Sequence, residues 1–298
     1  VPLASENKNI HNALRQVNLN LPHFSLNGFS ISGLSTYLQI PELDFMVDIG
    51  ECPLSAVPIN HLFLTHAHGD HARCLMRHHS LRKMTGIAKD AIYYIPEPFV
   101  EKAKAWIKAE ALFENVPEYK FRYPEIQAVI PNERVHLAYR KDLALEIFPV
   151  EHSIPSMGCT LFRYKKKLKQ ELLNATPEEL IQKRLSGEKI TNDIYEPLIS
   201  FMGDCKTESL KNMPYLLDSE VIVMECTFLN DEDEEMAHLK SHSHLNEIVR
   251  ILEEIGDSAK CKCLVLNHFS MKYPEKHILS VMEKKIPDSW KEKVKVLL

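Results

Sequence analysis

No apolar run in the 298-residue chain approaches the roughly twenty residues that a membrane-spanning helix needs, so no membrane span or membrane partner is expected. The chain opens Val1-Pro2-Leu3 and has no basic segment followed by an apolar one, so secretion is not indicated. Seven cysteines (Cys52, Cys74, Cys159, Cys205, Cys226, Cys261 and Cys263) form an odd set without a C-x-x-C pair. That excludes a disulfide framework and a zinc knuckle, and points to the cytoplasm or another reducing intracellular compartment. A basic excess is missing too: the net charge of -5 and pI near 6.3 argue against indiscriminate polyanion binding and leave room only for a local basic patch. No internal repeat has a clean period. What remains, 45% hydrophobic and 26% charged residues, suffices for a large buried core.

Against this background one stretch stands out. Thr65-His66-Ala67-His68-Gly69-Asp70-His71 places three imidazoles and a carboxylate in six consecutive residues, directly after the apolar run His61-Leu62-Phe63-Leu64. The run reads as a buried strand, and the donors as the loop leaving its carboxyl end, where open α/β sheets keep their sites. Imidazole suits zinc, and the adjoining aspartate admits a second cation such as manganese or iron, so the loop reads as dinuclear rather than structural. A histidine-rich solvated loop is the bland alternative, and H-x-H-x-D-H after a strand argues against it.

The same design recurs along the chain. Leu143 to Val150 is a strand followed by His152, Pro197 to Met202 a strand followed by Asp204, and Cys263 to Asn267 a strand followed by His268. Strands are also expected at Phe29 to Ile40 and Asp44 to Ile49, a hairpin turning at Pro41-Glu42, and at Ala91 to Ile95 and 291 to 297. Asp48 is read as a structural acceptor. Helical spacing covers 72 to 84, 97 to 113, 178 to 186, 206 to 213, 243 to 255 and 274 to 284, so strands and helices alternate as in a layered α/β fold. Residues 1 to 27 carry little periodicity and read as a loosely held arm.

The order His66-x-His68-x-Asp70-His71, His152, Asp204, His268 resembles the metallo-β-lactamase superfamily. Within it, Glu151-His152-Ser153-Ile154-Pro155, Phe201-Met202-Gly203-Asp204, Glu225-Cys226-Thr227-Phe228 and His268-Phe269-Ser270-x-x-Tyr273 resemble ribonuclease Z, the endonuclease that trims the 3′ trailer of precursor tRNA, in its short plant-type form. The resemblance runs from about residue 28 to the C-terminus. It implies one α/β domain over 1 to 298, an αβ/βα sandwich of two mixed sheets flanked by helices, with 163 to 195 as a basic substrate-handling insertion. It also implies two divalent ions, zinc first with manganese or iron possible, one held by His66, His68 and His152, the other by Asp70, His71 and His268, and bridged by Asp204. Two such ions share a bridging hydroxide and clamp a phosphodiester. Asp70 would orient the water, and Glu225 would support His242 as proton donor, with His244 as the rival.

Precursor tRNA is the partner implied, on a homodimer. The run Arg163-Tyr164-Lys165-Lys166-Lys167-Leu168-Lys169 would track its backbone, and Ser270 and Lys272 would touch substrate; the acidic run Asp231 to Glu235 is expected to stay solvated. The chain departs from the family at Ala72 to His79, which replaces a glycine-rich turn and whose His78 and His79 are not counted as ligands, and at Cys159, Cys205, Met224 and Lys272. Lys272 stands where an arginine is usual, and an ammonium does not reproduce a bidentate guanidinium contact. These departures leave two alternatives open: a hydrolase of small phosphodiesters or other esters on the same centre, and a metal-containing binding module without turnover.

Overall fold

Near-continuous apolar runs form the central strands and are buried on both faces, and this sets the architecture of the computed structural model, which describes residues 16–256 and 259–298. One sheet follows chain order through β1 (Val17–Asn20), β2 (Ser25–Ser32), β3 (Ser35–Ile40), β4 (Phe45–Val47), β5 (His61–Phe63), β6 (Ile92–Pro96) and β7 (Glu125–Val129). It is antiparallel as far as β4 and parallel from there, with α1 (Gly69–Ala72), α2 (Leu75–Met84) and α3 (Val100–Phe113) in the crossovers.

The second sheet repeats the plan. An antiparallel run of β8 (Arg134–Leu137), β9 (Arg140–Val150), β10 (Ser156–Leu168) and, after α4 (Pro177–Leu185), β11 (Thr191–Phe201) turns parallel. The parallel part passes α5 (Glu208–Asn212), β12 (Val221–Glu225), α6 (Glu234–Lys240), α7 (Leu245–Ile255) and β13 (Cys263–Asn267). The short β14 (Phe269–Ser270) crosses to pair with β2, and α8 (Glu275–Lys285) leads to β15 (Val294–Val296) beside β13.

Successive side chains of a strand point to opposite faces. Phe45, Val47, Phe63, Leu145, Ile147, Phe201, Val223 and Val265 therefore meet between the sheets. The alternate residues Met46 and Leu62 meet α2 and α3, whereas Ile222, Met224, Leu264 and Leu266 meet Leu245, Leu252, Ile278 and Trp290. At about 1.5–3 kcal/mol for each fully buried large apolar side chain, these layers hold two mixed sheets between helices, the expected αβ/βα sandwich.

Two expectations change. The arm drawn over 1 to 27 is too long: residues 17–20 and 25–27 are already strand, because Val17 to Asn20 pairs with Ser25 to Gly28, and residues 1–15 lie outside the described residues. The strand drawn over Phe29 to Ile40 is two strands, broken where Gly33 takes φ +71, although the hairpin turning through Pro41 is present as β3 and β4. The basic run forms a strand. It is the distal half of β10, zipped from Arg163↔Glu196 to Leu168↔Thr191 on β11 and fastened by a Lys165–Glu196 ion pair and a Tyr164 Oη to Asp193 bond of 2.8 Å.

Candidate metal centre

All seven expected metal donors gather in the cleft where the carboxyl ends of β5, β9, β11 and β13 meet. Backbone bonds stitch the sheets there: Met157 N–H donates to Thr65 O at 3.0 Å, and His268 N–H to Ser30 O at 3.2 Å. Gly50 is required for the approach, since a Cβ would lie 1.8 Å from the Asp70 carbonyl. The β2–β3 turn reaches in as well, its Gly33 N–H donating to Asp70 Oδ2 at 2.9 Å.

The donor atoms form two groups, His66, His68, His152 and Asp204 on one side, and Asp70, His71 and His268 on the other. Asp204 is buried and faces both, with Oδ1 3.4 Å from His71 Nε2 and Oδ2 3.8 Å from His66 Nε2 and 3.4 Å from His268 Nε2.

Hydrogen bonds behind the rings decide what they present. His71 Nδ1–H donates to Asp48 Oδ2 (2.7 Å), His66 Nδ1–H to Thr65 Oγ1 (2.9 Å), His152 Nδ1–H to Ser241 O (2.9 Å) and His268 Nδ1–H to Thr227 Oγ1 (3.1 Å). In its neutral, metal-ligating form each of these rings turns a bare Nε2 inward. His71 Nε2 stands 3.3 Å from His268 Nε2, and His66 Nε2 stands 3.0 Å from His68 Nδ1. Imidazole nitrogens and carboxylate oxygens gathered this closely, with the rings held from behind, form a donor set that fits divalent metal ions.

Charge follows burial and neighbours. Burial holds the His66 pKa well below the usual imidazole value. Burial also opposes charge on His71, but Asp204 and Asp48 outweigh it and raise its pKa well above that value. Asp204 and Asp70 are lowered, since the facing histidines overcome their desolvation.

Beside the donors lies a proton-handling pair. Glu225, at the end of β12, is 1% exposed, and its Oε1 accepts from His242 Nδ1–H at 2.7 Å. Its Oε2 accepts from Thr227 Oγ1–H at 2.6 Å. Burial alone would lower the His242 pKa, yet the Glu225 charge and hydrogen bond push it up to about 9. The ring sits 5.0 Å from His152 and 5.5 Å from His268, centroid to centroid. His244 is occupied elsewhere, its Nε2–H on Asn230 O (2.9 Å) and its Nδ1 accepting from Asn246 N–H (3.1 Å) as the N-cap of α7.

The expected substrate contacts are not brought together here. Arg163, Lys165, Lys166 and Lys167 are exposed on distal β10, and at ~3.4 Å per residue Lys165 to Lys167 lie roughly 27–34 Å along the strand from Met157. Ser270 pairs with Ser32 in β14 and donates its N–H to Thr227 O (3.1 Å). Lys272 is ion-paired with Asp233 over the rings of Phe228 and Tyr273, so its ammonium fastens the loop after Thr227. Asp233 is thus buried and paired, which corrects the solvated reading at that residue alone; Asp231, bound by Lys285 at 2.6 Å, Glu232 and Glu235 are exposed as expected. His78 and His79 stay outside the centre, with His78 bonded to Tyr93 Oη and Ala56 O.

Asp48 is the structural acceptor expected from the sequence, here behind His71, whereas Thr227, inside the Glu225-Cys226-Thr227-Phe228 motif, had no expected role of its own and proves to join Glu225 to His268.

No family model matches the chain. The metallo-β-lactamase fold protein YhfI from Bacillus subtilis superposes with a TM-score of 0.56 at 13% identity, over 90% of this chain and 92% of that one. The short form of human tRNase Z gives 0.51 at 17%, over 86% and 92%. The fold is that of the metallo-β-lactamases. At the level of sequence, tRNase Z TRZ1 of Arabidopsis thaliana is 30% identical over 262 residues, 86% of this chain and 88% of its own length. Chloroplastic tRNase Z TRZ2 of the same plant is 27% identical over 286 residues, 91% and 73%. The chain belongs to the tRNase Z family, a family of metal-dependent hydrolases.

Proposed function

We propose that this chain is an endoribonuclease that removes the 3′ trailer of precursor tRNA by hydrolysing one phosphodiester. The observation that carries the reading is the Glu225–His242 pair at the rim of a double donor set, in a chain whose relatives are named tRNase Z. His66, His68 and His152 would hold one divalent ion and Asp70, His71 and His268 the other, with Asp204 shared and zinc ahead of manganese or iron. Such ions, when bound, activate water and neutralise phosphate charge.

The chain's own groups supply the remainder. Asp48, Thr65, Ser241 and Thr227 fix the imidazole tautomers. Asp70, steadied by the Gly33 N–H, is the carboxylate placed to orient the attacking water. His242, charged at neutral pH, hands its proton to the departing ribose 3′ oxygen, and the Glu225 carboxylate stabilises the imidazolium beforehand and fixes the tautomer left behind. The distal β10–β11 hairpin, with Arg163, Lys165 and Lys167 on one face, is suited to the RNA body far from the cut. All seven cysteines are free and buried, which supports work in a reducing compartment.

The test is a side-by-side assay of the metal-loaded enzyme on a trailer-bearing precursor tRNA and on a chromogenic small phosphodiester. Cleavage at the trailer junction, leaving a 3′-hydroxyl on the tRNA, is the expected result. Rapid turnover of the small diester with an intact precursor sinks the reading.

A further inference from the structure

A second set of donors converges away from the centre just described. Glu208 opens α5, His238 lies near the end of α6 and Glu247 in the first turn of α7, yet one donor atom from each lies within 4.8 Å of the others. His238 Nε2 is 3.1 Å from Glu247 Oε1, and the Glu247 side chain is only 14% exposed. Among the described residues no lysine or arginine pairs with Glu208 or Glu247; Lys206, whose charge Glu208 feels, is taken by Glu151. A protonated His238 would answer one carboxylate and leave the other facing the pair. Three separate helices deliver these groups, so their meeting is a product of the fold and not of local spacing.

We propose that Glu208, His238 and Glu247 form a further divalent-cation site, separate from the dinuclear centre, with zinc as its occupant. One imidazole and two carboxylates suit zinc, whereas magnesium and calcium take oxygen ligands throughout. Tetrahedral coordination at 2.0–2.1 Å needs donors about 3.3–3.4 Å apart, so modest side-chain rotation closes the set, and water enters past the half-exposed His238 to complete it.

Its role is to hold a turn. The short α6 ends at Ser241 with φ +56, and Ser241 O orients His152. The next residue, His242, donates its N–H to Ala237 O at 3.0 Å. A cation tying His238 to α5 and α7 would clamp the segment that aims both histidines. The site stands on its own whatever the enzyme cuts.

Zinc content settles the matter. Holoenzyme equilibrated with micromolar free zinc should carry one zinc per chain more in the wild type than in His238→Asn or Glu208→Gln, with circular dichroism confirming that both variants fold. Zinc at a hundredfold excess over its Kd should raise the Tm of the wild type by about 4 °C more than that of either variant. Equal zinc content in all three proteins, or a zinc-dependent rise in Tm that survives both substitutions, overturns the proposal.

Discussion

A single carboxylate governs the charge on His242. Because Glu225 raises its pKa to about 9, the acid form is abundant at neutral pH and is lost as pH rises through that value. Glu225→Gln keeps the shape and removes the charge, so the alkaline limb of the pH–rate profile should move to lower pH while kcat falls. His242→Asn should cost about 10²–10⁴ in kcat, the usual contribution of general acid catalysis. His244→Gln should instead lower Tm and spare kcat, since both nitrogens of that ring serve the start of α7; equal losses of kcat from the two substitutions would refute the assignment. The candidate metal donors were legible in the sequence because four crowd the loop after one apolar strand and each of the other three follows a strand of its own. The choice between His242 and His244 was not, because both follow a serine and only the fold aims one at Glu225. Asp48 was legible as an acceptor, but its partner was not, since His71 is 23 residues away.

Among the elements, β10 departs most from its sequence. Arg163 to Lys169 shows no apolar alternation, and its strand character comes from β11, whose Asp193 and Glu196 answer Tyr164 and Lys165. If the hairpin grips RNA, Lys165→Ala with Lys167→Ala should raise KM for precursor tRNA about tenfold and flatten its dependence on salt. Hydrolysis of a small diester should not change, and a parallel loss on both substrates would place the lysines elsewhere in the mechanism. Helices with an apolar stripe, such as α7 with Leu245, Ile248 and Leu252 buried, were read to within a few residues. The helix α6 was missed, because it follows an acidic run and buries only Ala237.

On the scale of the whole molecule, stability should depend on His78. The ring is fully buried and its pKa is lowered to about 4, chiefly by burial. An unfolded histidine titrates near 6.5, so between those values the unfolded chain binds more protons than the folded one. The contribution, on the order of 3 kcal/mol, is therefore complete above pH 6.5 and is lost as pH falls toward 4. Urea unfolding should show the wild type losing more stability between pH 7 and pH 4.5 than His78→Gln, whose starting stability is lower. The close approach of His71 and His268 has a different consequence, one of timing. They are 197 residues apart in the chain, and at roughly 5–20 residues per second a ribosome needs about 10–40 s to make the intervening stretch. Throughout that interval the nascent chain carries the His66–His71 loop without His268, so the donor set stays incomplete until the stretch through His268 has been translated.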